Sequence, residues 1–506
     1  MTDKSQKLIV DNKGLDFKLT ENGEKTKLRL SKLNRLAIFV VFFALHFFNC
    51  SDGGVPSAAS NNIKKDLNFD DKEFGKYGSI VQIGRIIGTF IVMALLNMFN
   101  RKYLIIIALF FKCSSFLIYF VTYNYWIIII FRFIQGVSHV FTYVYFPAWI
   151  HQYGMQTTKA LMLTFIQTAS PYGSVFGFSV TSFIGTEHWR YGFGILAFCI
   201  IPLNIILFFI PDTFFSDKVF FFRTIEEKMN VKITMYSKDK LGHEQPDEER
   251  EEDREYVKSV YSLFEVGESQ ALAGKKTDSN IYYELIFNPA FSCVVLARTV
   301  IMFIFMAIHY WLGDYFVNVL EITNKLAKSS SYSFISLVGP LVGGSIGTTW
   351  ITYIGGYQRP QSGFIAFFFA VLTGISAMFV PAANNLMHFS IALFAYFALA
   401  NCLMPILIGI SFNAVPDNLA ASSYGVNSLL CTFLGNLPAP SVYGYINQYF
   451  KATNKKMAML ICMSYIWVAV ILVGISAIFY YRKQSAKINK AKNVKEDEEL
   501  KDIENK

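Results

Sequence analysis

The sequence predicts an all-α membrane protein of twelve transmembrane helices in two six-helix halves. Three observations carry this reading. Apolar residues fall in blocks of about 18–25, the length a helix needs to cross about 30 Å of hydrocarbon. Of the 506 residues, 53% are hydrophobic and 16% charged, against about 45–50% and about 25% in soluble proteins. One long polar stretch, Asp212 to Glu284, divides the blocks six and six.

Taken in order, residues 1–35 form a basic N-terminal tail. Blocks at 36–56, 76–98, 103–122, 126–148, 160–184 and 190–211 make the first half, 36–211. The first block follows about 35 polar residues and lacks a cleavable signal pattern, so it is expected to stay as a span. Residues 212–284 are a charged linker, in which DEEREEDREY at Asp247–Tyr256 reads as a solvated helix or as disorder. Blocks at 289–316, 331–354, 362–381, 386–413, 420–447 and 457–481 make the second half, 285–481, and 482–506 is a charged C-terminal tail.

Orientation follows from Lys and Arg. Lys25, Lys27, Arg29, Lys32 and Arg35 precede the first span, Arg101 and Lys102 follow the second, and Arg359 follows the eighth. Arg482, Lys483, Lys487 and Lys490 follow the last. All lie on one side of a twelve-span chain, which the positive-inside rule makes cytoplasmic, with both termini and the linker. Lys64, Lys65, Lys72, Lys451, Lys455 and Lys456 lie on the opposite side and run against the rule. Plasma membrane and a lysosome-like or vacuolar membrane both stay open.

Composition and motifs exclude several classes. The formal charge of +9 sits in tails and short loops beside spans, which orients the chain and does not suggest nucleic acid. The seven cysteines lie in or beside apolar blocks without metal-ligand spacing, so they read as packing residues, and no metal is expected. GxSxG, HExxH, Walker A and dinucleotide patterns are absent, so neither catalysis nor a cofactor is expected. The linker is too short and too acidic to supply an ATP-driven pump.

The fourth block poses the functional question. FRFIQGVSHVFTYVYFP, Phe131 to Pro147, carries Arg132, Gln135, Gly136, His139 and Tyr143 at i, i+3, i+4, i+7 and i+11. That spacing places them on one helical face. A polar stripe on a membrane helix faces the bundle interior or a watery cavity. Its bland explanation is a structural hydrogen-bond network.

Depth suggests partners. At about 1.5 Å per residue, Asp52 lies about 9 Å from the middle of the first span and Arg132 about 7 Å from that of the fourth, on the same side. An Asp52–Arg132 ion pair is therefore expected. His46, Arg85 and Arg298 sit near the midplane of the first, second and seventh spans; snorkelling would be the bland account of the arginines. His309 and Asp314 lie near the outer end of the seventh span, where an interfacial role suffices.

SPYGSVFG (Ser170–Gly177) and GPLVGGSIG (Gly339–Gly347) favour close helix approach and bending. Pro147 and Pro171 repeat the spacing of Pro416 and Pro440, as two parallel halves would.

With RFIQG at Arg132–Gly136, WRYGF at Trp189–Phe193 and PDT at Pro211–Thr213, the twelve-span pattern resembles the major facilitator superfamily. One motif departs. The loop after the second span reads NMFNRK, with Asn97 where the family places an aspartate, which weakens the usual charge lock. Within the superfamily, Asp52 followed by GVPSAA, the Arg132–Gly136–Pro147 spacing, VPDNL at Val415–Leu419 and LGNLPAPSVYG at Leu434–Gly444 are similar to spinster-type transporters. Gly53 replaces the usual arginine, and His139 stands where a glutamate is common. The resemblance implies export of lysophospholipids or sphingoid phosphates, in some members with protons.

The expected function is secondary active transport by alternating access. Asp52, Arg132 and His139 are the coupling candidates, with Gln135 on their face; Arg85 and Arg298 would attract an anionic head group. His46, Tyr143, His309 and Asp314 are secondary candidates. Expected partners are a lysolipid or small-molecule substrate, protons as coupling ion, and membrane lipids. One alternative keeps the fold and carries a sugar, amino acid or organic anion; another is a non-transporting receptor, against which stands the cost of a buried titratable stripe.

Overall fold

A computed structural model describes residues 19–21, 24–26, 32–153, 159–212, 215, 287–354, 356–357, 359–415 and 420–504. Most of the linker, including Asp247–Tyr256, lies outside these residues, as do Pro416 and the side chain of Asn97. A short antiparallel hairpin pairs Leu19–Glu21 with Glu24–Thr26 in the N-terminal tail.

Among the described residues, ten helices are long and apolar enough to cross a membrane. Two further helices, Lys159–Ile184 and the interrupted helix from Ala420 to Phe450, complete twelve spans. Polar residues before the apolar blocks start several of them. Asp70 accepts from the Glu73 amide while Glu73 returns the bond, a capping box opening Asp71–Met98. Asn100, Asn288, Asn324 and Asn385 cap the third, seventh, eighth and tenth spans in the same position.

The first span breaks where the sequence reads CSDGG. Helix Lys32–Cys50 gives way to one tight turn at Ser51–Gly53, then to Gly54–Ala58. The break lies against the fifth span at backbone contact: a side-chain carbon on Gly54 would meet Ser174 and Phe178, and one on Gly177 would meet Ser51. The Gly-rich segment thus does what its composition suggested. In the second half Gly343 and Gly347 bring the eighth span onto the backbone of Ala398 and Cys402 in the tenth.

Two spans of the second half contain a wide π turn, Phe334–Val338 in the eighth and Cys431–Asn436 in the eleventh. Each is followed two residues later by a proline, Pro340 and Pro438. A proline lacks the amide that an α-helix needs at that point, so the freed carbonyl one turn back relaxes into wider bonding.

The halves meet mainly at the end carrying the loop between the first and second spans, which we call the loop end. Asn61 pairs with Asn318 at 2.9 Å, Lys72 N with Gln448 at 3.1 Å, and Ser441 with Ser79 at 2.8 Å. Tyr310 donates to the Phe74 carbonyl at 2.7 Å, and Ser329 to Ser179 at 2.9 Å. The hydrogen bond between the halves farthest from the loop end is Gln82 Nε2 to Met306 Sδ, 3.6 Å. Beyond it, toward the termini, no hydrogen bond or ion pair joins the halves among the described residues. The fifth and eighth spans flank a mostly apolar crevice of about 210 Å³ lined by Thr168, Pro171, Tyr172, Ser336 and Pro340.

Candidate functional site

The break in the first span sets Asp52 in the interior of the first half, 1% exposed. Its Oδ2 lies 3.6 Å from Arg132 Nη1, so the two residues matched by depth do meet. A nearer cation was not anticipated: Lys112 of the third span, 1% exposed, lies 3.0 Å from the same oxygen. Asp52 Oδ1 is buried without a hydrogen-bond partner among the described residues.

Arg132 is held from several sides. Nη1 donates to Gln135 Oε1 at 2.7 Å, and Gln135 donates onward to Tyr119 OH at 2.9 Å. The guanidinium lies 4.7 Å from the Tyr77 ring centre, within cation–π range. Gly136, on the same face, serves packing instead and rests against Val81 and Gly84 of the second span. The i, i+3 spacing therefore built the polar network, and i+4 built a helix crossing.

One turn further on, His139 and His46 are buried with ring centres 6.0 Å apart. Nδ1 of each lacks a hydrogen-bond partner among the described residues. Tyr143 lies 6.1 Å from each imidazole yet is 58% exposed, so open space adjoins the histidine pair. Asn49 donates to Thr142 at 2.6 Å and Thr142 to the His139 carbonyl at 3.0 Å, tying the first and fourth spans at this level.

Arg85 and Arg298 are half-buried, and neither has a carboxylate partner among the described residues. Arg298 Nη1 donates to Asn427 Oδ1 at 2.9 Å, a neutral acceptor, and Nε of both arginines is buried without a partner. Asn427 was not singled out from the sequence; its signal is a lone amide in an apolar span.

Asp314 needs correcting. It is not interfacial but 4% exposed, in a charge cluster joining the halves. Lys64 Nζ reaches Asp314 at 2.5 Å and Asp71 at 2.8 Å, and Lys451 reaches Asp71 at 3.2 Å. Burial opposes the charge on Lys64, but Asp314 and Asp71 outweigh it and hold the ammonium above the ordinary lysine value. His309 lies 3.5 Å from Tyr332 OH, apart from this cluster.

Residues 41–440 match the Major Facilitator Superfamily. The chain belongs to that superfamily. Among solved structures it is similar to a bacterial homologue of the human lysosomal transporter Spinster, inward-facing and unoccupied, with a TM-score of 0.60 and 14% identity over 90% of this chain and 98% of that one. It is as similar to a D-xylose–proton symporter, TM-score 0.59 and 14% identity over 88% and 97% of the two chains. A peptide transporter bound to alafosfalin gives 0.60 and 11% identity over 88% and 94%. Among curated proteins none matches. As a facilitator the chain is a transporter working by alternating access.

Two family motifs take particular forms in this facilitator. Lys102, in the altered NMFNRK loop, pairs at 2.9 Å with Asp212 of the PDT segment, and Asn100 reaches Asp212 at 3.2 Å. Both contacts tie the loop after the second span to the start of the linker and do not reach the second half. Trp189 of WRYGF donates to Asp66 at 2.9 Å.

Proposed function

We propose that this facilitator carries an amphipathic anion of the lysolipid kind, as its resemblance to spinster-type transporters implies, with a proton on His139 as coupling ion. One observation carries the cargo's charge. Arg85 in the first half and Arg298 in the second have no carboxylate partners among the described residues, whereas Asp52 is already shared by Lys112 and Arg132. Half-buried cations without counter-charges are costly in a membrane interior unless a ligand supplies the charge. His139 fits a coupling role by type, since imidazole changes charge near pH 6.5, about where cells operate. The reading takes the termini as cytoplasmic, which puts the hydrogen-bonded loop end on the outer side.

The test is flux in proteoliposomes containing the full chain. The vesicles are preloaded with the same unlabelled compound, and labelled lysophosphatidate, succinate or xylose is offered with and without a proton gradient. Uptake of the anionic lysolipid in preference to xylose supports the reading. A sugar preference would favour the second reading, a small-nutrient carrier, which the equal likeness to a xylose–proton symporter keeps in view.

A further inference from the structure

We infer that the carrier is an obligatory anion exchanger: it passes between its facing states with an anion aboard in both directions and does not return empty. This rests on the carrier reading above and adds the mode of transport.

Where the second and seventh spans face each other, the hydrogen bonds between the halves run from the loop end as far as Gln82 and Met306. From Gln82 the second span runs toward the termini, and Arg85 lies three residues on. Met306 belongs to the seventh span, which runs the other way, and Arg298 lies eight residues before it. These offsets place Arg85 about 60° and Arg298 about 80° around the helix from its contact residue, within one broad stripe of each span. Both arginines therefore lie on the termini side of the contact, about 5 Å and about 12 Å beyond it along their helices.

A site reached alternately from two sides requires the halves to part at the loop end and meet at the other. Gln82–Met306 is the hydrogen bond nearest to that change, so groups just beyond it on the second and seventh spans approach one another as the inner side closes. Arg85 and Arg298 are the cations in that position. A guanidinium does not shed its proton, and no carboxylate partners either one among the described residues. The one nearby acid, Asp52, is outnumbered by Lys112 and Arg132.

Closing an empty carrier thus drives two permanent positive charges together while water leaves the space between them. A bound anion reverses the sign of that contribution. It accepts hydrogen bonds from both guanidiniums, one in each half, and draws the inner ends together. Since an anion favours the closed state only through its better contacts there, both the outward and the return crossing require one. A proton on His139 accompanies the anion on one leg and sets direction; it does not replace the anion on the other.

The experiment uses the full chain in vesicles preloaded with labelled phosphate, succinate or lysophosphatidate, voltage-clamped with potassium and valinomycin. Efflux is compared into medium containing the same unlabelled anion and into potassium Hepes alone. Exchange is expected to exceed net efflux by at least about tenfold, the factor that about 1.4 kcal/mol of repulsion sets. Equal rates overturn obligatory exchange and leave the carrier reading standing. Absence of efflux for every probe in both media overturns the carrier reading and exchange with it. Arg298→Gln, checked for folding by elution and thermal midpoint, is expected to raise KM for the probe and bring the ratio of exchange to net efflux toward one. An unchanged ratio would show that its charge does not block empty return.

Discussion

Lys112 Nζ lies 3.0 Å from Asp52 Oδ2, nearer than Arg132 Nη1 at 3.6 Å. The principal ion pair of Asp52 is therefore with the third span. Breaking a buried pair from one side leaves a stranded charge and costs about 3–5 kcal/mol. Lys112→Met should lower the thermal midpoint of the purified protein sharply, and adding Asp52→Asn should restore much of the loss. Losses that simply add in the double variant would contradict the pairing.

Arg132 should couple to Asp52 more weakly than Lys112 does. Its Nη1 is engaged by Gln135 at 2.7 Å, and its guanidinium rests on Tyr77. Two double-mutant cycles, Asp52→Asn with Lys112→Met and with Arg132→Gln, measure the difference directly. A larger coupling energy for Arg132 would reverse this ranking.

Removing Asp314 should loosen the loop end. Asp314→Asn takes one carboxylate from Lys64, and a shift of about 1–3 kcal/mol is a change of about 5- to 150-fold in the open fraction. Ser79→Cys reports it, because Ser79 is buried at the seam against Ser441. Its labelling by an impermeant maleimide should rise in the Asp314→Asn background; unchanged labelling would mean that the charge cluster does not hold the seam. The pH dependence follows from Lys64, whose ionised form the two aspartates favour. A group with a raised value contributes fully below its ordinary value, about 10.4 for lysine, and loses that contribution only as pH rises through the raised one. Labelling of Ser79→Cys in the otherwise native chain, divided by that of a freely exposed cysteine to remove the thiolate's own pH dependence, should accordingly stay flat from about pH 7 to about pH 9.

His139→Gln keeps hydrogen-bonding capacity and loses titration. Accumulation driven by a proton gradient should vanish while anion exchange at equal pH continues. If the variant accumulates cargo as the native chain does, His139 does not carry the proton.

Both termini should be reached from the same face of sealed, oriented vesicles. Proteolysis of tags at Met1 and Lys506 checks this, and tags on opposite faces would break the twelve-span count. The lysines that ran against the charge rule are partly accounted for. Lys64 and Lys451 are matched by Asp71 and Asp314 in the seam.

Legibility in the sequence tracked physical locality. Span lengths report a solvent thickness, so the six-and-six division could be read from apolar blocks alone. The Arg132–Gln135 contact follows from helical spacing, and the Asp52–Arg132 approach from depth. Lys112 escapes such a reading, although a lone lysine within FFKCSSF, midway along the third span, carries the same cost as any buried charge. Asp314 misleads because its partners lie elsewhere in the chain. Nothing in the sequence near Gly313 points to Lys64, 250 residues away, and only the docking of the halves brings them together.

The wide turns at Phe334–Val338 and Cys431–Asn436 make the halves mechanically unequal. In the first half, Pro147 and Pro171 sit within unbroken α-helix, so bending there must strain a regular ladder. In the second half each wide turn holds an extra residue of slack, with a proline already having removed one rung. Curvature gained or lost at those two places disturbs fewer bonds than anywhere along the spans that face them. The first half's own break, at Ser51–Gly53, is pinned at backbone contact through Gly54 and Gly177, so the first half can serve as the stiff jaw and the second as the compliant one.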